Sequence, residues 1–343
     1  MSGGATRLVA GPGSGPGGVP AAIGLTPILS ARWRTRDLDA IRAAAPGARL
    51  VPISFDGHAE GPLDDVEVLL RGSLPAETFD RLLARSPRLA WVHSATAGVE
   101  RVLTPAARAR GLVVTNARGV FSAPVAEYVL MTILAVCRRL PQLLELQRER
   151  TWQPLEGREL ADVTVGIVGL GSMGEAIADR ALAFGCRVVA TRRSASTAPE
   201  RPGIEVLGGP EALGELLSLA DFVVLALPLT ADTDGLIDEA ALAAMKPGAW
   251  LVNVARGQHV DDHALVRALR AGTIGGAILD TFREEPLPPS SPYYDLPNAI
   301  VTPHTAWSSG RVLDRSVGLF CENLGRFARG EPLHNVVDPG VGY

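Results

Sequence analysis

The chain has 343 residues, 47% of them hydrophobic and 20% charged, with a net charge of −4. It is long enough for two domains and apolar enough to bury a large core. Its charge supplies no basic field for nucleic acid or anionic lipid, so neither is expected as a partner.

Residues 1–21 include the run GPGSGPGGV, which cannot bury enough surface to offset the entropy of ordering it. They are read as a disordered Gly/Pro-rich extension. From Ile23 to about Asn116 short apolar runs (LVPISF, VEVLL, LAWVHS, LVVTN) alternate with amphipathic segments such as AETFDRLLARS and TPAARARG. That βαβα rhythm implies a parallel sheet with helices on its faces. A helical pattern follows over about Ala123 to Arg150, apolar on more than one side through VAEYVLMTILAVC, and needs cover from beyond its own domain. Its most apolar part, Tyr128 to Cys137, is too short to span a bilayer.

A second series of strands begins at VTVGIVGLGSMG and runs through CRVVATRR, DFVVLALP, AWLVNVAR, GGAILDTF and NAIVTPH. Each is a near-continuous apolar run, the pattern of a sheet covered on both faces. The tail from about Trp307 holds one helix, SVGLFCENLGRFARG, and an extended end. The expected fold class is therefore α/β, with two doubly wound parallel-sheet domains. Residues 22–121, completed by 307–343, form one domain, into which a second, 122–306, is inserted.

The cysteines, Cys137, Cys186 and Cys321, show neither a CxxC nor a Cys/His spacing. No metal site is expected, and buried reduced thiols fit a cytoplasmic setting. The N-terminus has no charged region leading into an apolar one, so no secretory signal is expected.

Gly169-Leu170-Gly171-Ser172-Met173-Gly174 follows an apolar strand and opens an amphipathic helix. In that setting the first glycine makes the turn, the second admits a pyrophosphate to the backbone and the third lets helix and strand pack closely. The pyrophosphate would sit on the helix N-terminus, so a Rossmann cofactor domain is expected over 122–306. The next strand ends in Arg192-Arg193-Ser194, close to the ~20-residue separation at which an NAD enzyme places an acid for the ribose. Two guanidiniums and a serine suit a 2′-phosphate instead, so NADPH is the expected cofactor and NADH the alternative.

Three more strand ends carry chemistry: Arg256 follows LVNVA, Asp280 and Glu285 follow GGAIL, and His304 follows NAIVTP. Ligands bind outside the carboxyl ends of strands in an open α/β sheet, so these side chains are expected in one crevice. His58, His93, His259, His263 and His334 form no catalytic or metal pattern and are read as structural or surface residues.

With HSATAGVERVL, VTNARG, PVAEYVL, GIVGLGSMG, LPLTADTDGLID, MKPGAWLVNVARG, LDTFREEPL and TPHTAW in this order, the chain resembles the D-2-hydroxyacid dehydrogenase family over nearly its whole length. The resemblance implies hydride transfer from NADPH to a small 2-keto acid, and a flavodoxin-like substrate domain around the inserted Rossmann domain. It places Arg256, Glu285 and His304 at the catalytic positions, and Ala97 and Gly98 in the loop that receives the substrate carboxylate. Leu227, Pro228, Thr233, Val254, Ala255 and Asp280 fall among the cofactor contacts. Arg71 could meet a second substrate anion, unless it is simply solvated, and Trp307 could wall the substrate pocket. The apolar helix after Ala123 implies a homodimer. Two alternatives stay open, a dinucleotide-sensing corepressor-type module and a phosphite-type dehydrogenase. The lack of a long extension after PLHNVVDPGVGY weighs against the sensing role and against a phosphoglycerate dehydrogenase with a regulatory domain.

Overall fold

A computed structural model describes residues 17–28, 33–72, 74–192 and 201–340. The chain divides into two compact units, one running to Val120 and resuming at Gly310, the other from Phe121 to Ser309.

In the first unit five strands, β1 (Ala22–Leu25), β2 (Arg49–Pro52), β3 (Val66–Arg71), β4 (Trp91–Ser94) and β5 (Val113–Thr115), form a sheet in the order β2-β1-β3-β4-β5. All its pairings are parallel. This is the flavodoxin-like doubly wound order. Helices α1 (Thr35–Ala44), α2 (Ala76–Arg85) and α3 (Pro105–Ala109) connect the strands, and the C-terminal helix Val312–Arg329 packs on one face. It stacks Phe320 and Phe327 against Trp91, each at a ring separation of 5.4 Å. The Trp91 indole N–H donates to Thr115 Oγ1 at 2.8 Å, and His93 Nδ1 meets the same hydroxyl. Burial pushes the His93 imidazole down to about 3, so it is a neutral core group. Of the expected extension, residues 1–16 lie outside the described residues. The remainder is tied down, Gly18 donating to the Ala328 carbonyl at 2.7 Å and the Ala21 amide to Glu67 at 3.0 Å.

The second unit opens with α4 (Ser122–Cys137) and α5 (Leu140–Arg148). The sequence pattern reads as one helix here, but the chain breaks at Arg139, which turns left-handed with φ 57°. Pro141 supplies the reason: it has no N–H to bond the Cys137 carbonyl and its ring clashes with that carbonyl four residues back, so α4 cannot continue through it and a new helix starts with the proline in its first turn. Strands β6 (Thr164–Val168), β7 (Arg187–Thr191), β8 (Ile204–Leu207), β9 (Phe222–Leu225), β10 (Trp250–Asn253), β11 (Gly276–Leu279) and β12 (Ala299–Val301) form a seven-stranded parallel sheet. Its order is β12-β11-β10-β9-β6-β7-β8, with helices α6 (Ser172–Ala183), α7 (Ala212–Leu219), α8 (Glu239–Ala244) and α9 (Asp262–Ala271) between strands. Strand order reverses at the β6/β9 boundary, the switch point of a doubly wound sheet. The edge strand β8 was not among the expected strands, because IEVL is only partly buried and lacks their apolar run.

Among the described residues no helix is long and apolar enough to cross a membrane.

Candidate active site

The switch point is built by the glycines. Gly169 ends β6 with φ 102°, and a Cβ there would lie 2.9 Å from the Ala226 carbonyl oxygen beyond β9. A Cβ on Gly174 would lie 2.2 Å from the Gly169 carbonyl oxygen, so only glycine lets the first turn of α6 close on the strand. Around a Cβ at Gly171, the N-cap of α6, no atom stands within 4 Å. The backbone therefore faces open space where the first amides of the helix have no intrahelical partner, a cradle that fits a dinucleotide pyrophosphate. Ser172 and Met173 complete its first turn. Arg192, just beyond β7, is half-buried with its guanidinium 3.8 Å from Glu175 on α6. Arg193 and Ser194 lie outside the described residues.

Beyond β9, the loop bearing Leu227, Pro228 and Thr233 is held from beneath. Thr233 Oγ1 donates to the Pro228 carbonyl at 3.0 Å. His259, fully buried, turns Nδ1 to the Thr233 carbonyl and Nε2 to that of Leu227, at 2.8 and 3.3 Å. Burial lowers its pKa, against the pull of both carbonyls. His259 is structural, as expected, but its task is to support this loop.

Strands β10, β11 and β12 lie side by side with Asn253, Leu279 and Val301 in register, so the segments after them emerge together. After β10, the Asn253 side chain accepts from the Ala255 amide at 3.1 Å and donates to the Arg256 carbonyl at 2.9 Å. That tight turn presents Arg256, whose Nη1 also donates to the Ala255 carbonyl. Val254 and Ala255 are buried, and the Ala255 amide and carbonyl are both bonded within the turn. A Cβ on Gly257 would fall 1.9 Å from the Phe282 carbonyl carbon, so the Arg256 turn and the Glu285 loop touch backbone to backbone.

Glu285 Oε1 accepts the Phe282 amide at 2.9 Å and Oε2 meets His304 Nδ1 at 2.8 Å. Burial alone would raise the Glu285 pKa; the bonds from His304 and Phe282 and the charges of His304 and Arg256 outweigh it and hold the carboxyl below its ordinary value. Glu285 is thus ionised near neutrality and can only accept. His304 Nδ1 must carry the proton, which leaves Nε2 for proton exchange.

His304 itself has φ 49°, a left-handed conformation costly for a residue with a Cβ. Asp280, 1% exposed, accepts from Thr302 Oγ1 at 2.6 Å, the Thr305 amide at 2.8 Å and the Ala306 amide at 2.9 Å. Its carboxylate therefore brackets His304, a task the reading as a cofactor contact did not include. Trp307 sets its ring edge-on to Phe121 at 6.4 Å.

In the first unit Asn116 donates to the Ala97 carbonyl at 2.9 Å, fixing the turn that holds Ala97 and Gly98. Arg71 is buried rather than solvated, 2% exposed, and its guanidinium donates to the carbonyls of Gly72, Leu74 and Arg101 at 3.1, 2.5 and 3.0 Å. The group also lies over the Phe79 ring, and burial lowers it to about 10. The three carbonyls offset part of that desolvation, while Nε is buried without a hydrogen-bond partner among the described residues.

Asn253, Gly257 and Thr302 were not singled out from the sequence. A polar Asn closing a buried apolar strand is the one signal that could have pointed to Asn253.

Residues 130–306 match the family model described as "D-isomer specific 2-hydroxyacid dehydrogenase, NAD binding domain". The chain is similar to a D-3-phosphoglycerate dehydrogenase of Mycobacterium tuberculosis, 40% identical over 271 residues, 78% of this chain and 50% of that protein. This chain thus spans about half the length of the phosphoglycerate dehydrogenases it matches. A glyoxylate reductase of Korarchaeum cryptofilum is 35% identical over 287 residues, 81% of this chain and 83% of that protein. A crystal structure of a D-isomer specific 2-hydroxyacid dehydrogenase from Xanthobacter autotrophicus Py2, in complex with NADPH and MES, superposes with a TM-score of 0.83 at 34% identity. That match covers 94% of this chain and all of the other.

Proposed function

The chain belongs to the D-isomer specific 2-hydroxyacid dehydrogenase family, and from that premise we propose that it reduces a small 2-keto acid to the D-2-hydroxy acid at the expense of NADPH. The observation that carries the reading is the His304–Glu285 contact of 2.8 Å, emerging beside the Arg256 turn at the carboxyl ends of adjacent strands.

The nicotinamide, when bound, supplies the hydride. The protein must stabilise negative charge growing on the C2 oxygen and deliver a proton to it. Arg256 grips the substrate carboxylate and polarises the C2 carbonyl with a charge that cannot be neutralised. His304, its Nδ1–H fixed on ionised Glu285, gives its Nε2 proton to the forming alkoxide. Glu285 holds the ring orientation through its contact with Nδ1. The turn at Ala97 and Gly98 is proposed to receive the carboxylate through backbone amides, and Trp307 to wall the substrate. Glyoxylate and hydroxypyruvate are the substrates proposed, the first being what the Korarchaeum relative is named for.

The NADPH preference rests on Arg192 at the end of β7 and on the Xanthobacter relative, which binds NADPH. Gly169, Gly171 and Gly174 cradle the pyrophosphate, with Ser172 and Met173 at the helix start; Leu227, Pro228, Thr233 and Val254 flank the cofactor. A homodimer is proposed because α4 and α5 leave Met131, Leu140, Leu143 and Leu144 exposed, with Trp152 fully exposed just beyond.

Replacing Arg256 by Ala is expected to lower kcat about 10²- to 10³-fold, the cost of losing a donor at a developing oxyanion, with NADPH affinity by fluorescence titration kept. Retention of turnover would remove Arg256 from the mechanism. Exchanging Arg192 for Asp and Arg193 for Ser should move the kcat/KM preference from NADPH toward NADH; an unchanged ratio would show that these arginines do not read the 2′-phosphate. Sedimentation of the intact chain should give twice its monomer mass, and Leu143→Glu with Leu144→Glu should halve it. A monomeric wild type would contradict the dimer.

A further inference from the structure

Tyr128 lies on α4, far in sequence from the strand ends that carry the candidate catalytic groups, yet its hydroxyl reaches one of them. It stands 2.6 Å from Thr302 Oγ1, and the Thr302 hydroxyl stands 2.6 Å from Asp280 Oδ1. A threonine hydroxyl has a single proton. That proton is donated to Asp280 Oδ1, so the Thr302 oxygen must accept from Tyr128. Burial pushes the Tyr128 phenol up to about 12, so it stays a donor throughout the neutral range. The direction of the chain is therefore set: Tyr128 donates to Thr302, Thr302 to Asp280, and Asp280 also receives the Thr305 and Ala306 amides.

The far end of this chain is the left-handed backbone of His304. A strained conformation persists only where its surroundings over-determine it. Here the surroundings are the bonds from residues 302, 305 and 306, which enter one carboxylate from both sides of His304. We propose that Tyr128 and Thr302 are positioning residues for the reaction: by fixing Asp280, they hold the His304 turn in the orientation that keeps Nδ1–H on Glu285. The proposal rests on the reductase reading of the previous subsection, and it goes beyond that reading by assigning to α4 a share in placing the proton donor.

The phenol ring and its hydroxyl separate the packing role from the positioning one. Tyr128→Phe keeps the ring in place and removes only the donor, which leaves the Thr302 hydroxyl free to rotate away from Asp280. Thr302→Val keeps the shape and removes the link; Thr302→Ser restores it.

The test compares the intact wild-type chain with these three variants and with the double variant Tyr128→Phe/Thr302→Val. Reduction of glyoxylate or hydroxypyruvate gives kcat, fluorescence titration gives NADPH affinity, and ¹⁵N-histidine NMR gives the tautomer of the His304 ring. Tyr128→Phe and Thr302→Val should each lower kcat about three- to tenfold, the worth of one hydrogen bond, with NADPH affinity kept. Thr302→Ser should recover wild-type kcat. The double variant should be no worse than Thr302→Val alone, because both changes cut one chain. The neutral ring should be the Nδ1–H tautomer in the wild type, and the Nε2–H form should appear in Tyr128→Phe and Thr302→Val. Unchanged kcat and tautomer in the folded variants, additive losses in the double variant, or a Thr302→Ser as impaired as Thr302→Val would each overturn the proposal. A wild type that reduces no keto acid would overturn the reductase reading instead. The tautomer would then decide alone whether the chain positions His304.

Discussion

Asp280 is a carboxylate with almost no access to water, and such a group is stable only if hydrogen bonds replace its lost solvation. Three donors do so, and all come from the five residues around His304. The buried charge and the strained turn therefore depend on each other. The carboxylate needs the donors of a tightly folded loop, and the loop needs the carboxylate to hold a backbone it would not otherwise adopt. The position of His304 relative to Glu285 follows from that mutual constraint.

The remaining geometry is a consequence of parallel pairing. Strands β10, β11 and β12 run in register, so the turns that follow them emerge at one edge of the sheet and bring Arg256, Glu285 and His304 into one neighbourhood. The backbone contact at Gly257 closes the first two turns together, and the Nδ1–H bond joins the third. At the reversal of strand order the three glycines open the cradle proposed for the pyrophosphate. The two halves of the proposed chemistry, the dinucleotide cradle and the His304–Glu285 pair, are thus placed by one sheet.

What was legible in the sequence was local or periodic. The apolar runs announced most strands because strands covered on both faces have no polar side to show, and the glycines announced their turn because Gly169 and Gly174 each answer a constraint at their own position. The trio proposed as catalytic was legible as residue types at strand ends and by family likeness. What escaped reading depends on partners distant in sequence. Arg71 follows an apolar strand just as a solvated arginine would, and only the packed loops show that it is spent on backbone carbonyls. Tyr128 looks like one more apolar position of α4 until Thr302 is seen beside it. The break between α4 and α5 was a different kind of miss, since Pro141 was visible within the helical pattern and local chemistry alone requires the interruption.

The most direct test of the account is the loss of nicotinamide absorbance when the purified chain meets NADPH or NADH with glyoxylate, hydroxypyruvate, pyruvate, phenylpyruvate or phosphonopyruvate. The account predicts oxidation with a small 2-keto acid, faster with NADPH than with NADH. Tight NADPH binding with no oxidation by any of these acids would contradict it.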